Sequence, residues 1–162
     1  MHRTLTGTIA LALGLALLAT AAHADESLNQ RVVQFAADHL GKKVGDGECA
    51  TLIVEALRTA GAAAPVGDSE GRFTFGKPIE RKALTAGDLI HFEKARFEHK
   101  SADGGFSWAE FPLHTAIVQR VQGTRVTLLH QNYGGKRTVQ RLTLDLADLK
   151  RGTVAYSRPQ PR

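Results

Sequence analysis

A change of hydrophobic period divides the chain and decides most of what it can fold into. From Leu28 to Ala60 apolar residues recur at helical spacing. From Gly87 onward they alternate or run in short β-rich blocks. Leu28, Val32, Phe35, Ala36, His39 and Leu40 mark a first helix, which Gly41 stops. Cys49, Leu52, Ile53, Ala56, Leu57 and Ala60 form the stripe of a second. Thr51, Glu55, Arg58 and Thr59 take its other face, and Gly61 ends it. Asp46 or Gly47 is the expected N-cap. Residues 62–85 are rich in Gly and Pro and read as a long loop with one short strand or turn. Gly87-Asp88-Leu89-Ile90-His91-Phe92 reads as a turn feeding a strand, and 93–112 as a mixed charged and aromatic segment. Strands are then expected over 114–121, 125–132, 136–144 and 153–157. Helices first and strands after predict an α+β fold, with N-terminal helices packed on an antiparallel β-sheet rather than a βαβ winding.

The first 24 residues stand apart. Arg3 precedes an apolar run from Ile9 to Ala22, and Ala22-His23-Ala24 offers small residues where a processing enzyme cuts. This is the pattern of a secretory signal peptide, and the run is shorter than a membrane span. The expected mature chain is a single domain over 25–162, periplasmic or secreted, with no stable membrane span after cleavage. Its only cysteine is Cys49, so it holds no internal disulfide, and at this size it needs none. Loss of Arg3 takes the net charge from +5 to +4. That balance suits an anionic neighbour. The cations are scattered, however, and Glu93 and Glu98 dilute the Lys94–Lys100 cluster. Nucleic acid is therefore not an expected partner. No HExxH or other ligand spacing is present, so no metal or cofactor is expected.

One thiol in an exported chain asks for a purpose. Cys49 lies on the apolar stripe, where a structural thiol would sit, but also in the first turn of its helix. Free N–H groups and the helix dipole there favour a thiolate and offer an oxyanion site. Glu48 beside it opposes that shift. Of the five histidines after residue 24, His39 reads as core or boundary, His99 as solvated and His91 as structural. His114 and His130 remain as base and orienter. Side chains alternate along a strand, so the two rings share a face only if paired residue numbers sum to an even number. A three-residue loop Val121-Gln122-Gly123 would set 120 opposite 124 and His114 opposite His130. Cys49 would then attack a carbonyl, His114 take its proton, and His130 fix the His114 tautomer. Asn132 on the same face is the fallback orienter, and Glu48 a neighbour in support.

A cysteine opening a helix, then Gly-Asp-Leu-Ile-x-Phe, then His-Thr-Ala-Ile-Val, then a strand closing on a polar residue resembles the papain-like NlpC-type and CHAP (cysteine–histidine amidohydrolase/peptidase) domains. The likeness runs from about Leu28 to Tyr156. Cys49 matches their nucleophile, His114 their base and His130 the third residue. Glu48 stands where NlpC-type domains have Asp and CHAP domains usually have Gln, and Ala86 where Pro is usual. No Ser-Gly follows the cysteine. The resemblance implies a cysteine amidase or peptidase that cleaves peptide or amide bonds of peptidoglycan, with Trp108 and Phe111 as candidate walls of a substrate cleft. Two other outcomes are a non-catalytic binding or scaffold protein on the same fold and a secreted antibacterial amidase effector.

Overall fold

The structure, a computed structural model, describes residues 27–67 and 73–162. The segment read as a signal peptide lies outside the described residues. Helix α1 (Leu28–Asp38) and helix α2 (Cys49–Ala60) come first. Ser27 starts α1 with a capping box: its side chain accepts from the Gln30 backbone, and the Gln30 side chain accepts from Ser27 N–H. The strands follow: β1 (Val66–Gly67), β2 (Phe73–Thr74), β3 (Lys77–Ile79), β4 (Leu89–Lys100), β5 (Phe106–Gln122), β6 (Arg125–His130), β7 (Gln140–Asp145) and β8 (Leu149–Arg158). β1 and β2 form a separate pair. The other six make one antiparallel sheet in the order β3-β8-β4-β5-β6-β7. This is the expected α+β arrangement of two helices on an antiparallel sheet.

Two cores lie on the two faces of this sheet. On one, the stripes of α1 and α2 (Val32, Ala36, Leu52, Ile53, Ala56, Leu57) bury against Leu89, Ile117 and Leu129. On the other, Ile90, Phe92, Phe97, Phe111, Ala116, Val118 and Leu128 pack on one another. Burying these side chains contributes about 1.5–3 kcal/mol for each large one. That explains why neither face of the central strands is polar.

Several local expectations change. The mixed segment 93–112 is the far half of a long hairpin, paired from Leu89↔Ile117 out to Lys100↔Phe106. Its alternation is hidden by a change of phase. Ile90 and Phe92 face one core, and beyond Lys94 that face passes to Ala95 and Phe97. Lys94 has φ 49°, and the register with β8 slips between Glu93 and Arg96. His114 therefore sits inside β5 and not at the start of a strand. The β5–β6 turn is also not the three-residue loop expected. Gln122 pairs with Arg125, so the loop is Gly123-Thr124, with Gly123 at φ 63°. That register alone would put His114 and His130 on opposite faces. A bulge at Gln119, between the pairs Val118↔Leu128 and Arg120↔Thr127, restores the even sum. Level with His130 is thus Ala116, and His114 is its diagonal neighbour on the same face. The N-cap of α2 is Glu48 rather than Asp46 or Gly47, because the Asp46 carboxylate instead accepts from Glu48 N–H.

The Gly87-Asp88 step anchors the start of β4. A Cβ on Gly87 would come 2.1 Å from the Asn29 carbonyl oxygen, so only glycine lets α1 approach. Asp88 is fully buried and bonds Arg158 Nε and Nη2 at 2.8 Å each, Asn29 Nδ2 at 2.9 Å and Thr85 N at 2.8 Å. Burial pushes its pKa up, but these donors outweigh burial and hold the carboxyl below its ordinary value.

Candidate active site

Cys49 is the first residue of α2 and is half-buried. Gln131, one residue past the end of β6, holds that helix start in place. Its Nε2 donates to the carbonyls of Val44 at 3.0 Å and Glu48 at 2.7 Å, and its Oε1 accepts from Val44 N at 3.2 Å. Gln131 is fully buried and every polar atom of its side chain is used. It ties the helix that Cys49 opens to the strand that carries His130. Sequence reasoning passed over it. The available signal was its parity, since in His130-Gln131-Asn132 the middle residue must point to the helix side.

The Glu48 side chain turns outward. Its carboxylate accepts from Asn132 Nδ2 and Arg137 Nη2, and Arg137 also donates to the Asp46 carbonyl at 2.9 Å. Asn132, at φ 60°, is therefore engaged with Glu48 and not with His114. The helix start does not produce the lowered thiol pKa expected of it. Burial pushes the Cys49 thiol up, and the nearby Glu48 charge adds to that. Hydrogen bonds from the backbone N–H groups of Thr115, Ala50 and Cys49 itself pull the other way without prevailing.

His114 Nε2 lies 3.0 Å from His130 Nδ1, with the rings edge to face at 5.2 Å between centroids. Both histidines are buried. Burial lowers the His114 pKa to about 3, with further repulsion from His130 and His91, and burial lowers His130 to about 4. Both rings are thus neutral at ordinary pH. Phe111 stacks on His114 at 5.4 Å and on Phe92 at 4.6 Å, and Tyr133 lies against His130 at 5.4 Å. This aromatic packing fixes the rings laterally. Among the described residues, His114 Nδ1 has no hydrogen-bond partner, and no hydrogen bond joins the Cys49 sulfur to the His114 ring. The sulfur is instead next to the Thr115 N–H, one residue along the chain from His114.

The other sequence candidates are dispersed. Phe111 is only 1% exposed and belongs to the core beneath His114, so it offers no surface to a ligand, whereas Trp108 is 59% exposed. His91 sits in β4 across from Thr115, with a buried Nδ1 that has no partner. His99 lies in β4 and bonds Asp148 at 2.8 Å. His39 caps the end of α1 and contacts the Phe35 carbonyl at 2.7 Å. Among the described residues no group of three or more His, Cys, Asp or Glu is placed to hold a metal ion, and no helix is long and apolar enough to cross a membrane.

The chain can now be set beside known proteins. It is 26% identical over 145 residues to altered inheritance of mitochondria protein 3 of Debaryomyces hansenii; the match takes in 80% of this chain and 16% of that protein's length. Its fold is similar to the crystal structure of Ly7917, with a TM-score of 0.54, 20% identity, and coverage of 82% of this chain and 62% of the other. It is likewise similar to the structure of Ly7917 with the hydrolyzing product of MDP, at a TM-score of 0.56, 20% identity, and coverage of 82% and 63%. These structures share the fold. The model of one family matches residues 20–162, and the chain belongs to that family, the AIM3/BBC1 cysteine proteinase-fold domain.

Proposed function

We propose that the domain, over 25–162, is an exported cysteine hydrolase that cleaves peptide or amide bonds of peptidoglycan through Cys49, His114 and His130. The observation that carries this reading is the 3.0 Å contact between His114 Nε2 and His130 Nδ1. With the proton on His114 Nε2 and donated to His130, His114 Nδ1 keeps its lone pair and is available as a base, as is the unpartnered Nδ1 of His91 across from Thr115. His114 adjoins the strand position whose amide meets the Cys49 sulfur.

The chemistry then runs as follows. Cys49 Sγ attacks the substrate carbonyl carbon while its proton passes to His114 Nδ1, a transfer that needs a bridging water because His114 and His130 lie on the sheet face away from α2. The oxyanion is received by N–H groups at the start of α2. The His114 imidazolium returns the proton to the leaving amine, and the thioester remains on Cys49. Water, deprotonated by His114, releases the acid and restores the thiol. A raised thiol and a depressed imidazole make the resting pair neutral, so charge separates only as the tetrahedral species forms. His130 accepts from the imidazolium at that moment and steadies it. The apolar run before the domain supports export. A neighbour in fold that was crystallised with a hydrolysis product supports the hydrolase class.

The test compares the mature chain with Cys49→Ala on purified peptidoglycan, following the release of new amino groups. Release by the wild type alone supports the proposal; equal release, or none from either across several walls, refutes it. The raised thiol pKa and the missing Cys49–His114 bond favour a second reading, a non-catalytic binding protein on the same fold. In that case wall material is retained by both proteins and cleaved by neither.

A further inference from the structure

The helices cover only part of their side of the sheet, and the edge of that cover runs past His91 and Thr115. Leu89 and Ile117, paired across β4 and β5, are buried beneath α1 and α2. Side chains alternate along a strand, so the pair two residues further on, His91 and Thr115, faces the same way. The next pair on that face is Glu93 and Leu113, and Leu113 is 49% exposed. On its other flank His91 pairs with Ala155 of β8, which is exposed as well. Cys49, the first residue of α2, stands at this border with its sulfur against the Thr115 N–H. His91 and the sulfur are therefore neighbours of the same residue on the helix side of the sheet, whereas His114 and His130 occupy the opposite face. Side chains of directly paired residues start only about 4.5–5.5 Å apart.

The His91 ring has chemistry to offer there. Thr115 does not satisfy it, because the Thr115 hydroxyl donates to the Ile90 carbonyl at 3.1 Å. Among the described residues neither nitrogen of His91 has a hydrogen-bond partner, and only Nδ1 is enclosed. Burial holds the ring below the usual imidazole pKa against the opposing pull of Glu93, so it is neutral and carries one N–H. On Nδ1 that hydrogen would make a buried donor without an acceptor, the costlier arrangement. It sits instead on Nε2, which presents a donor to the open surface.

A tetrahedral intermediate on Cys49 needs such a donor. The N–H groups of Cys49 and Ala50 already meet the sulfur, so an oxyanion forming beside it shares donors that are in use. Glu48, the residue before the cysteine, turns outward, and its carboxylate accepts from Asn132 and Arg137. A neutral imidazole can polarise a carbonyl through its N–H without becoming charged.

We propose that His91 is a further catalytic residue of this site, its Nε2–H donating to the oxyanion that forms when Cys49 adds to a carbonyl. The inference rests on the reading of Cys49 as a nucleophile. As the Sγ–C bond forms, the carbonyl π pair moves to oxygen and the His91 N–H shortens its hydrogen bond to it. The hydrogen stays on Nε2 throughout. When the leaving group departs, the pair returns to rebuild the carbonyl and the donor relaxes.

Two reagents separate an effect on oxygen from an effect on sulfur. p-Nitrophenyl acetate acylates Cys49 through an oxyanion, and iodoacetamide alkylates it without one. Both rates are measured on the wild type, His91→Phe, His91→Gln and His114→Ala, with melting temperatures as a check on folding. His91→Phe should lower acylation about 10²-fold, the low end for a lost oxyanion donor because the ester is activated, and leave alkylation unchanged. His91→Gln, whose amide keeps an N–H, should recover part of the loss. His114→Ala should slow both reactions, since a base acts on the sulfur. The readout is the ratio of the two rates, and His91→Leu supplies it where His91→Phe does not fold. Equal ratios in the wild type and the apolar variant overturn the proposal. So does a parallel fall in both rates, the mark of a group acting on the thiol, or a wild type that iodoacetamide labels and the ester does not. Wall cleavage beside an unaltered ratio removes His91 and leaves the hydrolase. A lost ratio beside an uncut wall keeps His91 and removes peptidoglycan as the substrate.

Discussion

His114 and His130 meet at 3.0 Å because a bulge at Gln119 cancels the odd register of the β5–β6 turn. One extra residue in one strand turns His114 from the helix side of the sheet to the side His130 occupies. The site thus rests on a backbone irregularity five residues away from the ring it orients. Deleting Gln119 should break the histidine contact while leaving both hydrophobic faces to compete for burial, and imidazole NMR shifts would show that loss.

In the proposed mechanism His130 acts through His114, so its replacement should change turnover more than affinity. His130→Ala is expected to lower kcat by about 10–100-fold with little change in KM. His130→Gln, which keeps an acceptor, should recover part of that. Removing His114 itself should cost about 10²–10⁴-fold. Steady-state kinetics on a released-amine assay separates the three variants.

The two depressed histidines set the acid limit of the fold. Unfolded histidines bind protons near pH 6.5; the folded ones do so only at about 3 and about 4. Between those values the unfolded chain holds more protons, so stability falls as pH falls from about 6.5 toward 3 and is fully present above 6.5. Urea unfolding across this range should show a falling midpoint. A double His114→Phe, His130→Leu variant should lose most of that slope, because it removes the two most strongly depressed imidazoles and leaves His91 as the remaining ring whose pKa burial lowers.

Glu48 raises the Cys49 thiol after burial has done so. Glu48→Gln removes the charge and keeps one acceptor oxygen, enough for one of the two donors, Asn132 and Arg137, that now use separate oxygens. The rate of Cys49 alkylation by iodoacetamide should therefore rise at lower pH than in the wild type, with the melting temperature nearly unchanged. An unshifted profile would mean that the outward-turned carboxylate is screened from the sulfur.

Asp88 should matter to stability and not to chemistry. It is fully buried with five donors on its two oxygens, and Asp88→Ala leaves the Arg158 guanidinium and the Asn29 amide without this acceptor. The expected cost is about 2–3 kcal/mol, below the full cost of breaking a buried pair because Arg158 reaches solvent. Denaturant titration measures it.

The two helices and the antiparallel sheet were legible in the chain, because periods of 3.6 and 2 are written in residue type, whereas the face shared by His114 and His130 was expected from a three-residue loop that does not form and holds only through the bulge at Gln119. What escaped was backbone detail that no residue type announces. Gln119 is an ordinary strand residue, and only its unpaired place between Val118 and Arg120 makes it a bulge. Lys94 adopts φ 49° without being Gly or Asn, and its phase change hid the strand alternation from Glu93 to Pro112. The thiol's direction of shift was also unreadable. A helix start argues for a thiolate, but the burial that outweighs it follows from how α2 meets β5, and Gln131 enforces that contact through loop carbonyls.

The most direct measurement is the pre-steady-state rate at which p-nitrophenyl acetate acylates Cys49, taken across pH 5–10 in the wild type and in His114→Ala. If His114 Nδ1 draws the proton from the sulfur, the wild type holds a plateau of reactivity below the thiol's own titration. The variant should instead fall about tenfold per pH unit with its thiolate fraction. Superimposable profiles would contradict the account, for they would show a cysteine that reacts without help from the neighbouring imidazole.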